Sequence, residues 1–91
     1  MSIQSYRHMG LKELLETGKS RKVNPDLRKR ARDRLSALNA ARDFRDLDQP
    51  GFAFHLLKGQ DRYAISVSGP WRITFEWSGG HAYRVDLEQY H

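Results

Sequence analysis

Five side chains of this sequence are of the types needed to move protons and to hold charge on phosphorus: His55, Lys58, Arg72, Tyr90 and His91. Histidine is the side chain best suited to proton transfer near neutral pH, and a phenol can share that work. Arginine and lysine place positive charge where negative charge develops in a transition state. The chemistry this set fits is cleavage of an RNA phosphodiester without a metal. The ribose 2′-hydroxyl attacks its own phosphate, a base takes its proton, an acid protonates the leaving 5′ oxygen, and cations stabilise the phosphorus. Two histidines, or a histidine and a tyrosine, with Arg72 and Lys58 between them would supply these parts. The sequence ends on His91, in phase with an alternating strand pattern, which would set an imidazole beside a phenol at the end of a sheet.

Other chemistries find little support. The four histidines, His8, His55, His81 and His91, are far apart and none has helical spacing for a metal, so no metal site and no cofactor is expected. The absence of cysteine excludes disulfides, thiol catalysis and cysteine-ligated zinc. No glycine-rich phosphate loop opens a helix, and no serine sits in a nucleophile elbow. His8 reads as a local contact and His81, after Gly79-Gly80, as a surface turn residue. Arg72 has a purely structural alternative, an exposed ion pair with Asp86 or Glu88, which would contribute only about 0–1 kcal/mol.

Positioning these groups requires a scaffold, and 91 residues are enough for one domain, here residues 1–91. A chain of this size buries roughly 60–65% of its unfolded surface. Met9-Gly10-Leu11 opens a short helix with Leu11, Leu14 and Leu15 on one side, ended by Gly18. Asn24-Pro25-Asp26 opens a second, with Asn as N-cap, Pro at the first helical position and an acid in the first turn. Leu27, Ala31, Leu35, Leu38 and Ala41 give it one apolar stripe. From Asp43 to Pro50 the chain reads as a connection anchored by Leu47.

After Gly51 the period becomes two. Strands are expected around Phe52–Leu56, Tyr63–Val67, Trp71–Trp77 and Tyr83–Leu87, with a weak additional one over Ile3–Tyr6. Residues opposite one another in an antiparallel pair share a face, so a three-residue Ser68-Gly69-Pro70 loop would set Val67 opposite Trp71 and Ser66 opposite Arg72. The odd positions of the last three strands, with Phe52, Phe54 and Leu56, are then the core, Trp71 and Trp77 included. The other face carries His55, Ser66, Arg72, Thr74, Arg84, Asp86 and Tyr90. The fold class is α+β: two N-terminal helices packed on one face of a small antiparallel sheet, leaving the polar face open.

Charge is distributed unevenly. Sixteen Lys and Arg stand against eleven acids, a net charge of +5. Half of the basic residues fall between positions 19 and 34: Lys19, Arg21, Lys22, Arg28, Lys29, Arg30, Arg32 and Arg34. Such a patch fits a polyanion, with Lys19, Arg21, Lys22, Arg28, Lys29, Arg32 and, on the sheet, Arg84 as the candidate RNA contacts. No apolar run approaches the ~20 residues of a membrane span, and the first eight residues lack a signal peptide's hydrophobic region; a cytoplasmic location with no membrane partner is expected.

The sequence resembles the HigB-type toxins of the RelE superfamily. The resemblance is carried by Phe54-His55-Leu56-Leu57-Lys58-Gly59, by Ile65-Ser66-Val67-Ser68-Gly69-Pro70-Trp71-Arg72-Ile73-Thr74-Phe75 and by Tyr90-His91, and extends to Ile3–His8 and Gly10–Gly18. It implies a microbial-ribonuclease-like α+β fold and cleavage of messenger RNA in the ribosomal A site. The implied partners are a HigA-type helix-turn-helix antitoxin, the 70S ribosome and its mRNA. By position, His55 and Lys58 match the family's His-x-Leu-Lys-Gly segment, Arg72 its Trp-Arg-Ile, and Tyr90 and His91 the end of its Asp-Tyr-His. Gln89 stands where that acid is common, and Ser66 and Ser68 where relatives often carry an arginine. The competing class is a catalytically weak RNA- or antitoxin-binding module of the same fold. A DNA-binding domain is disfavoured because the basic helix is not the second helix of a helix-turn-helix.

Overall fold

Two capping residues, Gly18 and Asn24, stand at the helix ends where the sequence placed them. The computed structural model describes residues 2–90, and in it helix α1 spans Met9–Thr17 and α2 spans Pro25–Ala40. Gly18 ends α1 at φ 82°, a left-handed conformation that costs glycine little, with its N–H on the Leu14 carbonyl. The Asn24 side chain accepts the Asp26 N–H at 2.9 Å and so satisfies one of the free donors at the start of α2. The expected connection contains a short 3₁₀ helix, Phe44–Leu47, pinned by fully buried Leu47.

Four antiparallel strands follow: β1 (His55–Leu56), β2 (Tyr63–Ser68), β3 (Trp71–Ser78) and β4 (His81–Gln89), in the spatial order β1-β2-β3-β4. The N-terminal segment covers the free edge of β4 through two parallel bridges, Ile3 to Ala82 and Tyr6 to Val85. Leu11 and Leu14 of α1 and Leu27, Ala31, Leu35 and Leu38 of α2 bury their stripes against Ile65, Val67, Ile73, Phe75 and Val85. Helices cover one sheet face and leave the other uncovered by any helix. Arg34 is turned inward from the basic run: its Nε donates to the Ser66 carbonyl at 2.9 Å and its guanidinium lies 4.4 Å from the Phe52 ring centroid, fastening α2 to the sheet.

Three details differ from the expected pattern, and each is a local break of the period of two. The β2–β3 turn is the two-residue Gly69-Pro70, not a three-residue loop. Ser66 does face Arg72, but Ser68 rather than Val67 faces Trp71, because a bulge adds the extra residue within β2. The face-keeping parity is thus supplied by the strand instead of the loop. A second irregularity, in β4, falls between the Thr74–Asp86 and Glu76–Tyr83 pairs. It puts Tyr83 beside Glu76 on the polar face and gives its expected core place to fully buried Ala82. Finally, β1 is only two residues long. Gly51 at φ 86° and Ala53 at φ 48° interrupt extended chain, so Leu56 is 57% exposed and Leu57 is buried in its stead. Trp71 and Trp77 lie on the core face, half-buried.

Candidate active site

The strand register fixes the layout of the uncovered face. One row runs His55–Ala64–Thr74–Asp86 across all four strands, and a second runs Ser66–Arg72–Glu88 across the last three. Two residues along a strand separate the rows by about 7 Å, and two strand spacings separate β1 from β3 by about 10 Å. The Cα atoms of His55 and Arg72 are therefore about 12 Å apart in the sheet plane, within joint reach of one RNA backbone.

Arg72 and Tyr90 converge on the Gly69-Pro70 turn. The Arg72 Nη1 donates to the Gly69 carbonyl at 2.6 Å and to the Trp71 carbonyl at 3.0 Å, with the Ser66 hydroxyl at 3.4 Å. The Tyr90 N–H donates to the Pro70 carbonyl at 2.8 Å, which keeps the chain beyond β4 alongside the turn. The alternative ion pair of Arg72 is not formed. Glu88 is opposite it in the register, but the guanidinium is drawn to the turn carbonyls, and among the described residues it pairs with no carboxylate. Its charge stays available to an anion.

His55 is exposed, and its Nδ1 lies 2.8 Å from the Ala53 carbonyl. A carbonyl only accepts, so that contact places the proton on Nδ1 and leaves Nε2 facing solvent. The left-handed backbone of Ala53 aims this carbonyl, and among the described residues the other non-glycine residue with positive φ, Arg84 at 51°, aims its carbonyl at the Arg62 guanidinium. Sparsely populated backbone at both points is held by the surrounding structure. Lys58 is exposed in the β1–β2 turn, at the end of that hairpin away from Gly69-Pro70, and so is not brought together with Tyr90. His91 lies outside the described residues.

The residues that sequence reasoning missed lie beneath this set. Arg62, only 6% exposed, lies over the sheet with Nη2 donating to the Thr74 hydroxyl at 3.0 Å and to the Arg84 carbonyl at 2.9 Å, and Nη1 paired with Glu76 at 3.2 Å. Fully buried Thr74 in turn donates to Glu88 Oε2 at 2.5 Å, and the Tyr90 phenol donates to the same oxygen at 3.4 Å. Burial first, and then the Glu88 charge it faces, push the Tyr90 phenol above its ordinary range, so the phenol holds its proton at neutral pH. The signal was present in the sequence, since Arg62 and Glu88 share the even parity of Ser66 and Arg72. Among the described residues no group of three or more His, Cys, Asp or Glu is arranged to hold a metal.

The basic residues form a separate surface. Lys19, Arg21, Lys22, Lys29 and Arg32 are exposed on and before α2, and half-buried Arg28 donates from Nε to the Val23 carbonyl at 3.0 Å. Arg28, Lys29, Arg30 and Arg32 line a groove of about 780 Å³ along α2. This groove is on the helical layer, away from the uncovered sheet face. Arg84 alone of the expected RNA contacts is on the sheet, exposed, with its Nε 3.8 Å from Glu76.

A small α+β domain with two helices on one face of a four-stranded antiparallel sheet has the organisation of a RelE-like toxin of a type II toxin–antitoxin system. The family model described as a RelE-like toxin of the type II toxin-antitoxin system HigB matches residues 4–91. The chain belongs to this HigB-like toxin family. It is also 37% identical over 91 residues to a protein named Endoribonuclease HigB from Proteus vulgaris, a match spanning 98% of this chain and 99% of the relative. Membership of a toxin–antitoxin family implies an antitoxin as partner. No helix is long and apolar enough to cross a membrane among the described residues.

Proposed function

We propose that this toxin is an endoribonuclease that cuts messenger RNA in the ribosomal A site and so stops translation. The observation that carries this reading is that the Arg72 guanidinium, paired with no carboxylate among the described residues, and the backbone of Tyr90 meet at the Gly69-Pro70 turn of a face that no helix covers. The name of the Proteus vulgaris relative supports the same class of reaction. In the proposed reaction the ribose 2′ oxygen bonds to phosphorus as the bond to the 5′ oxygen breaks, leaving a 2′,3′-cyclic phosphate. His55, Tyr90 and His91 handle the protons, Arg72 stabilises the charge on phosphorus, and Lys58 holds a neighbouring phosphate.

The basic groove along α2 serves a different purpose in this account. Lys19, Arg21, Lys22, Arg28, Lys29 and Arg32 hold ribosomal RNA by sequence-independent phosphate contacts, and Arg84 holds RNA on the sheet side. The antitoxin is a HigA-type helix-turn-helix protein, and the toxin acts in the cytoplasm. Induced expression followed by primer extension on cellular transcripts tests the reading. Cuts within codons at the A site support it. Intact transcripts with undiminished growth would leave the binding module of the same fold.

A further inference from the structure

We propose that Glu88 is a positioning residue for the reaction, orienting the Tyr90 phenol and receiving its proton when the phenol oxygen takes the proton of the attacking 2′-hydroxyl. The proposal rests on the ribonuclease reading and deepens it. Its geometric basis is a continuous chain of donors converging on one carboxylate oxygen. Arg62, buried and immobilised by Glu76 and the Arg84 carbonyl, donates to Thr74; Thr74, fully buried, donates to Glu88 Oε2; and the Tyr90 hydroxyl donates to that oxygen as well.

A carboxylate that only balanced Arg62 would bond to it directly, as Glu76 does. Glu88 instead meets Arg62 through the Thr74 hydroxyl, which accepts from the arginine and donates to the carboxylate, a group that only accepts when ionised. Thr74 and Tyr90 thus share one oxygen of Glu88, Oε2. The other charged groups facing Glu88 are Arg72, opposite on β3, and Asp86, two residues back on the same face of β4. In this chain position 89 is glutamine, so Glu88 is the carboxylate side chain nearest in sequence to Tyr90.

The step balances. The O–H bond of the 2′-hydroxyl breaks as the bond from its oxygen to phosphorus forms; the phenol oxygen gains that proton while its own passes to Glu88. The bond from phosphorus to the 5′ oxygen breaks, and that oxygen takes a proton from a histidine of the proposed set. Nothing is oxidised or reduced.

The test uses the full-length protein and ribosomes programmed with a defined message, under single-turnover conditions. Glu88→Gln keeps an oxygen that can accept from Thr74 and Tyr90 but is far less basic. It should cut about 10²-fold more slowly at saturating ribosomes, with half-saturation unchanged, and Glu88→Asp should recover part of the loss. In parallel, NMR of ring-labelled tyrosine, with Tyr90 assigned by Tyr90→Phe, should show the phenol of the Glu88→Gln free protein titrating lower than in the wild type. Wild-type cleavage with Glu88→Gln equally fast overturns the proposal. So does a slower Glu88→Gln whose Tyr90 titration has not moved, since that would mark Glu88 as structural support alone. A wild-type protein that leaves the programmed message intact would remove the ribonuclease reading itself, and the proposal with it.

Discussion

Arg72 is the side chain whose removal separates catalysis from folding most cleanly. Its bonds are to carbonyls at the edge of a turn, and the chain around it is held by β3. Arg72→Ala should therefore retain a wild-type melting profile while slowing single-turnover cleavage by about 10²–10³-fold, the loss of about 2.7–4 kcal/mol that follows removal of one preorganised donor. His91→Ala should also relieve growth arrest at matched protein levels; full toxicity in that variant would make the terminal histidine a bystander. Tyrosines give a pH prediction. Burial raises Tyr6 and Tyr90, with Glu16 and Glu88 adding to it, so the folded protein binds these protons more tightly than the unfolded chain does. Stability is then present below the ordinary tyrosine range and lost as pH rises through it. Tyr90→Phe should lessen that alkaline loss in thermal melts, and an unchanged slope would contradict the assignment. At this scale the sequence revealed residue types and parity, but not direction. Nothing in the order of residues told that Arg72 would turn to Gly69 rather than Glu88, because the choice depends on carbonyls that only the folded turn presents.

The elements were more legible than the contacts between them. The start of α2 and the Gly18 stop of α1 follow from capping chemistry, and the apolar stripe of α2 reads directly as its buried face. Leu35, fully buried at the centre of that stripe, should cost about 2–5 kcal/mol when cut to alanine. Urea titration of Leu35→Ala should show a lower midpoint with the slope unchanged; a shift below 1 kcal/mol would mean that α2 is not the main cover of the sheet. The strands were legible in number and approximate position. Their bulges were not, because a strand with one extra residue has the same composition as one without. The irregularity in β4 decided the places of Tyr83 and Ala82, and Ala53 in a left-handed conformation decided that Leu56 would face solvent. That same Ala53 aims the carbonyl that sets the tautomer of His55, so what broke the expected pattern belongs to the candidate site.

Over the whole molecule, the two proposed functions fall on two faces. The helical layer carries the basic groove and the uncovered sheet face carries the candidate chemistry, so each can be altered alone. Replacing Arg28, Lys29 and Arg32 by alanine should weaken co-sedimentation with ribosomes and flatten its salt dependence by about 2–3 in the log–log slope, with the fold intact. Normal co-sedimentation of the triple variant at moderate salt would reassign this groove to the antitoxin or to solvent. The most direct measurement of the account is primer extension on cellular messages after induced expression of the wild type and of Arg72→Ala at matched levels. Cuts within A-site codons are expected for the wild type and their near-absence for Arg72→Ala. Equal cutting by both proteins, or intact messages with the wild type, would contradict it.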